Sequence, residues 1–214
     1  MTHDWHAWHE EYADPASDLS RRLSVVRDRL GALLGAAPGR VRLVSMCSGD
    51  GRDTLPVLAS TGGDVDAVLV ELDPDLADAA RATARDLALD RVEVRTADAG
   101  TTSAYAGAVP ADVLMTCGVF GNVTDADVAT TVAQLPALLA TGAHVIWTRG
   151  CRVPQDPTDF DGDPSELVRR LFAEAGFEEV DFVRPDDAGF RVGVHRWPGA
   201  GTPYQPGVRL FSFV

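Results

Sequence analysis

VRLVSMCSGDGRD, residues Val41 to Asp53, decides the fold. Val41, Leu43, Val44 and Met46 form a short apolar run of the kind a buried strand needs. It gives way abruptly to Cys47-Ser48-Gly49-Asp50-Gly51-Arg52-Asp53. A buried strand that breaks into a glycine-rich turn and then a helix cradles nucleotide ligands in open α/β sheets. Gly49 and Gly51 carry no Cβ where a ligand approaches the backbone. The helix expected from Asp53 to about Ser60 would aim unpaired N–H groups back at that ligand.

Working outward, the chain alternates strands and helices. Upstream, Asp14-Pro15 reads as a helix start. Leu19, Leu23, Val26, Leu30 and Leu33 then repeat at helical spacing until Gly35 to Gly39 stop the run. Downstream, Ala67 to Glu71 is a second strand, and Asp73-Pro74 opens a helix with Leu76, Ala80, Ala84 and Leu87 on one side. Val92 to Thr96 is a more polar third strand, suited to an edge. Ala111 to Cys117 holds the fourth strand, Thr124 and Asp127 form a capping box, and His144 to Thr148 is the fifth strand. Residues 151–163 read as a loop, with a further helix start at Asp163-Pro164. Phe177 to Val183 and Phe190 to His195 read as a closing hairpin, and Val208 to Val214 as one more strand or a packed tail. Such alternation predicts an α/β, Rossmann-like, mostly parallel sheet with helices on both faces and an antiparallel element at one side. The expected divisions are a helical lid or cap over 1–40, a core over 41–197 and a tail over 198–214.

Composition narrows the function. The 214 residues are 45% hydrophobic, enough for one domain with a full core. Asp and Glu outnumber Arg 32 to 19, for a formal net charge of −13, and there is no lysine. Such a surface repels nucleic acid and anionic membranes, so neither is an expected partner. Three widely spaced cysteines, Cys47, Cys117 and Cys151, argue against a disulfide scaffold or a zinc knuckle. The first thirty residues lack the apolar core of a signal peptide, and no run is long enough to span a bilayer, so a cytoplasmic location is expected.

Four landmarks fall where strands end on the ligand side of a doubly wound sheet. They are the Gly49/Gly51 turn, Glu71, Asp98 with Ala99, and Cys117-Gly118. Glu71 lies 22 residues beyond Gly49, a spacing suited to an acid that accepts ribose hydroxyls. A dinucleotide fingerprint wants a glycine at the sixth position from Gly49, and Thr54 stands there. Asp50 and Asp53 are also badly placed for a pyrophosphate and better placed for a cationic or zwitterionic ligand. An NAD-dependent oxidoreductase is thus the weaker alternative, and a non-catalytic binding protein is another.

On these residues the chain resembles the class I S-adenosylmethionine-dependent methyltransferases. The resemblance covers about residues 41–195 and implies a seven-stranded sheet ending in a hairpin. It implies a cofactor site for S-adenosyl-L-methionine at Cys47, Ser48, Gly49, Asp50, Gly51, Asp53, Glu71, Leu72, Asp98, Ala99, Cys117 and Gly118, with Glu71 on the ribose and Asp98 on the adenine amine. SMCSGDGRD, VELD, DAG, CGVFGN, VIWTR and the terminal LFSFV also resemble a bacterial group of methyltransferase-like proteins that brings no settled substrate. The chain departs from the broad family at Ser45, where many members carry an acid, and at Cys47, where the first turn glycine is usual.

Methyl transfer from a sulfonium asks mainly for positioning, with a base only for a protonated nucleophile. If residues 3–12 are helical, Trp5, Trp8, His9 and Tyr12 share a face. That face either docks the N-terminus or closes over a substrate, which makes His9 and Tyr12 catalytic candidates. Arg149, after the fifth strand, is a third, as a clamp for a substrate anion or as a partner for acids at 156–163. His3, His6 and His9 do not make a convincing metal set, and no metal is expected. A small-molecule methyl acceptor and a monomer or homodimer complete the expectations.

Overall fold

The computed structural model describes residue 12 and residues 14–150 and 162–214. The first helix, α1, runs Asp18–Ala36. It begins later than Asp14-Pro15 suggested. Asp14 instead closes a turn, its Oδ1 accepting from Ala16 N at 2.9 Å, and the Ser17 hydroxyl caps the helix by accepting from Ser20 N. Then follow β1 (Val41–Met46), α2 (Leu55–Thr61), β2 (Val65–Glu71), α3 (Pro74–Asp86) and β3 (Val92–Thr96). The second half contains β4 (Ala111–Thr116), α4 (Asp125–Gln134), β5 (Leu139–Gly150), α5 (Ser165–Glu174), β6 (Glu178–Val183) and β7 (Phe190–Arg196).

The seven strands form one sheet in the order β3-β2-β1-β4-β5-β7-β6. β1 pairs parallel with β2 and β4, β2 with β3, and β4 with β5, while β7 lies antiparallel between β5 and β6. Side chains alternate between the two faces. Leu43, Leu69, Val113, Met115 and Ile146 pack with residues of α1, α2 and α3. Val44, Met46, Leu114, Val145 and Trp147 pack with residues of α4 and α5. Both faces are therefore covered, and the central strands read as nearly unbroken apolar runs for that reason.

β5 is longer than the stretch 144–148. It starts at Leu139, which pairs with Ala111, and absorbs the bend at Gly142 by a register shift between Ala111 and Val113. Trp147 and His195 meet across β5 and β7 in the core, where the Trp147 indole N–H donates to His195 Nδ1 at 3.0 Å. The C-terminal segment adds no strand to the sheet. It touches the rest through isolated bridges, Thr101 with Arg209 and Val123 with Phe213, and buries Leu210 and Phe211. No helix among the described residues is long and apolar enough to cross a membrane.

Candidate active site

The site lies at the carboxyl ends of β1, β2, β3 and β4, on either side of the strand-order switch at β1. As β1 ends, the backbone turns left-handed at Cys47 (φ 50°), Gly49 (φ 56°) and Gly51 (φ 75°). A non-glycine residue in that region costs about 1–2 kcal/mol, so Cys47 stores strain where the turn begins. Ser48 N donates to Val70 O, which ties the turn to β2. Glu71 then organises both loops. Its Oε2 accepts from Gly49 N at 2.7 Å, and its Oε1 accepts from Leu72 N and Asp73 N at 2.9 Å each.

Two parts of the expected turn differ. Gly51 turns its Cβ position toward the core. An added Cβ there would lie 2.6 Å from Leu55 Cδ1 and 3.1 Å from Leu69 Cδ2, so its role is packing of the turn on the core. Nor does α2 offer free amides. It has only seven residues, and Thr54 N and Leu55 N both donate to Gly51 O while Val57 N donates to Thr54 O. The amides at the start of α2 are thus used within the turn, while those of Ser48 and Gly49 go to β2 and Glu71.

The remaining landmarks converge. A cavity of about 290 Å³ is lined by Cys47, Gly49, Glu71, Leu72, Asp98, Ala99, Cys117 and Gly118 from the expected set, joined by Asp73, Leu76 and Phe213. Its lining carries three carboxylates and no cationic side chain. Asp98 Oδ1 accepts from Gly100 N at 2.8 Å and its Oδ2 from Arg209 Nη1 at 2.7 Å. Sequence gave no signal for Phe213 or Arg209, because where a tail docks is not a local property. Asp73 was legible: it stands two residues after Glu71 and caps α3 by accepting from Asp75 N and Leu76 N.

A second chamber, about 60 Å³, adjoins the first through Cys47, Gly49 and Cys117. Ser48, Asp50, Asp53, Arg22 and Tyr12 line it. Asp50 accepts from the Arg52 guanidinium at 2.6–3.1 Å. Burial pushes the Asp53 carboxyl above its ordinary range, while the hydroxyl of Thr54, which donates to it at 2.9 Å, and the charge of Arg22 oppose the shift. The Ser48 hydroxyl is buried with no partner among the described residues, a polar atom suited to a ligand beside it.

Tyr12 caps this chamber. Its ring lies under the Arg52 guanidinium, 4.3 Å from the centroid, and its hydroxyl accepts from Arg22 Nη2 at 2.9 Å. Burial raises its pKa against the pull of Arg22, so at neutral pH it is a phenol rather than a base. His9 lies outside the described residues. Arg149 turns to the α4 side: it donates to the Phe120 carbonyl and reaches Asp125 Oδ1 at 3.2 Å, and it lines none of the cavities described here. The clamp expected of Arg149 is thus directed at the protein itself.

Cys47 and Cys117 both line the main cavity, as neighbouring strand ends require. Burial, then the charges of Glu71 and Asp98, raises the Cys47 thiol; burial, then Asp53, raises Cys117. Both stay protonated at neutral pH, which does not suit a redox pair. A third cavity of about 200 Å³ shares Gly118 with the first and Arg22 with the second. Leu19, Asn122, Thr148 and Phe190 contribute to its walls. Gly118 (φ 76°) has open space where a Cβ would stand, and its N–H donates to Thr148 Oγ1 at 2.8 Å.

Comparison with solved structures places this architecture. A SAM-dependent methyltransferase from Aquifex aeolicus aligns over 80% of this chain and 88% of its own, with a TM-score of 0.56 and 14% identity. The fold is that of the S-adenosylmethionine-dependent methyltransferases. A "possible exported protein" from Bordetella parapertussis shares this methyltransferase fold with a TM-score of 0.68 at 20% identity, over 85% of this chain and 68% of its own. So does the [4+2]-cyclase SpnF, with a TM-score of 0.57 at 19% identity, over 81% and 82%. No family model and no curated protein sequence matches the chain. At these identities the likeness is one of fold, and the chemistry has to be argued from the site.

Proposed function

We propose that the chain binds S-adenosyl-L-methionine and transfers its methyl group to a small-molecule acceptor. The observation that carries this is the main cavity, where Glu71, Asp73 and Asp98 surround an apolar pocket that has no cationic wall. A pyrophosphate would meet a net negative wall there, three carboxylates against the one Arg209 guanidinium paired with Asp98, whereas a neutral adenosine offers hydroxyl and amine donors to them. Glu71 would accept from the ribose through the site left open on Oε2, and Asp98 would hold the adenine amine. Asp53 and Ser48 would meet the zwitterionic amino-acid end in the smaller chamber. When bound, the sulfonium supplies an electrophilic methyl group.

The acceptor would occupy the third cavity, which meets the cofactor cavity at Gly118. The absence of a side chain there leaves the path between the two open, and in-line approach of the nucleophile is the positioning that this reaction needs. Arg22 gives the acceptor site one guanidinium. Tyr12, a phenol at neutral pH, holds Arg22 in place by accepting from its guanidinium.

Calorimetric titration with S-adenosylmethionine, S-adenosylhomocysteine and NAD tests the reading. The first two should bind and NAD should not. Gly49, Leu72 and Asp73 leave Glu71 one open acceptor site; Glu71→Ala removes that site for a ribose hydroxyl, worth about 1.5–3 kcal/mol, and should weaken S-adenosylhomocysteine about ten- to hundredfold. Tight NAD binding without sulfonium binding would overturn the proposal.

A further inference from the structure

The C-terminal segment is built into the same cavity, and no landmark of the sequence assigned it a role. Its backbone is laced to the turn that carries Asp98: Leu210 N donates to Gly100 O at 2.8 Å and Thr102 N to Val208 O at 2.9 Å. A Cβ at Gly100 would stand 2.4 Å from Phe211 O, so this approach requires glycine next to the Asp98-Ala99 pair. Beyond β4, Val214 N donates to Asn122 O at 3.1 Å, and the buried Leu210 carbonyl accepts from Thr131 Oγ1. The strap is therefore fixed at both ends, with Leu210 and Phe211 in the core.

Two side chains face the other way. Phe213 is 43% exposed and lines the main cavity, as does Leu72, which is 62% exposed. Few large apolar side chains among the described residues are this exposed, and two of them border one pocket. They arrive from different places, Leu72 from the end of β2 and Phe213 from the strap bridged to Val123. Exposed apolar groups that frame a polar-footed cavity mark the walls of a ligand site. Arg209 meanwhile donates to Asp98 Oδ2, and both partners are about half exposed. An exposed pair of this kind adds little to stability, so its consequence is the orientation of the Asp98 carboxylate.

We infer that Phe213 and Arg209 form the adenine end of the cofactor site: Phe213 is the wall against which the purine packs, and Arg209 is a positioning residue that orients Asp98 toward the purine amine. This rests on the S-adenosylmethionine reading above. Each oxygen of Asp98 already accepts one hydrogen bond, and each retains a second lone pair for the ligand. The pocket thereby specifies an aminopurine rather than any flat aromatic ring.

The test titrates wild type, Phe213→Ala, Arg209→Ala and Arg209→Lys with S-adenosylhomocysteine. A second titration uses the analogue in which an oxo group replaces the purine amine (S-inosylhomocysteine). Phe213 packs edge-on against the buried Phe211 ring and Arg209 also reaches the Phe211 carbonyl at 3.4 Å, so circular dichroism and thermal melts check the fold of each variant. Phe213→Ala should weaken both ligands about tenfold, as loss of a stacked aromatic wall does. Arg209→Ala should weaken S-adenosylhomocysteine five- to tenfold and leave the oxo analogue nearly unchanged, with Arg209→Lys recovering part of the loss. Equal losses for both ligands in Arg209→Ala would overturn the positioning role. Wild-type binding that Phe213→Ala leaves unchanged would overturn the wall alone. No wild-type binding of S-adenosylhomocysteine would overturn the cofactor reading and this inference with it.

Discussion

Three glycines with nearly the same left-handed backbone separate conformational cost from packing and from ligand access. Gly62 (φ 59°) ends α2, and a Cβ there would meet nothing within 4 Å. Gly62→Ala therefore measures the backbone term alone, about 1–2 kcal/mol. Gly118 (φ 76°) also has open space, but it lines both the main and the third cavity. Gly118→Ala should lose the same stability as Gly62→Ala and should also impair ligand binding. Gly51 (φ 75°) adds contacts of 2.6 and 2.9 Å to Leu55, against a carbon–carbon optimum of about 3.5–4.0 Å. Overpacking of this kind costs about 1–3 kcal/mol more, for a total of about 2–5 kcal/mol. In a domain of this size each kcal/mol lowers Tm by about 2–4 °C. Scanning calorimetry should then place Gly62→Ala and Gly118→Ala a few degrees below wild type and Gly51→Ala about 10 °C below it. Calorimetric titration should show weaker S-adenosylhomocysteine binding only in Gly118→Ala. A Gly51→Ala protein no less stable than Gly62→Ala would refute the assignment of Gly51 to packing.

Other outcomes follow from the buried groups. His195 is held to about 4 from an ordinary 6.5, first by burial and then by Arg169, with Glu179 opposing. The unfolded chain therefore takes up the proton first as pH falls below 6.5, and stability is present above that pH and lost toward 4. Urea unfolding should show a loss of about 2 kcal/mol from this group between pH 7 and 5, with a flatter profile in His195→Gln; identical profiles would exclude His195 as the source. Asp163 accepts from Arg191 Nε at 2.7 Å with both side chains buried, so Asp163→Ala should cost about 3–5 kcal/mol, and the double variant Asp163→Leu, Arg191→Met less. A single-variant loss under 1 kcal/mol in denaturant titrations would show that the pair is not sealed from water. Cys47 and Cys117, with thiols raised by burial, should alkylate slowly with iodoacetamide at pH 8 and quickly in urea, read by peptide mass mapping. Rapid labelling of either in the folded protein would contradict that environment.

What the sequence determined by itself is local and periodic. The apolar runs at Val41–Met46 and Ala67–Glu71, the breaks at Gly49 and Gly118, and the acid at Glu71 sit at strand ends whatever the rest of the chain does. Strand–helix alternation forces a parallel sheet, and a parallel sheet collects strand ends on one edge, so Glu71, Asp98 and Cys117 come into one cavity by topology. The tertiary structure alone decided the rest, because it depends on contacts between residues far apart in the chain. Gly51 turned out to be a packing residue because Leu55 and Leu69 close on it. Arg149 could have reached a substrate from the end of β5, but Phe120 and Asp125 stand on its side of the sheet. The last seven residues, Val208 to Val214, read as one more strand or a packed tail. Only their docking across Gly100 and Asn122, about a hundred residues away in sequence, brings Phe213 and Arg209 to the Glu71–Asp98 cavity that the Val41–Asp53 stretch first implied.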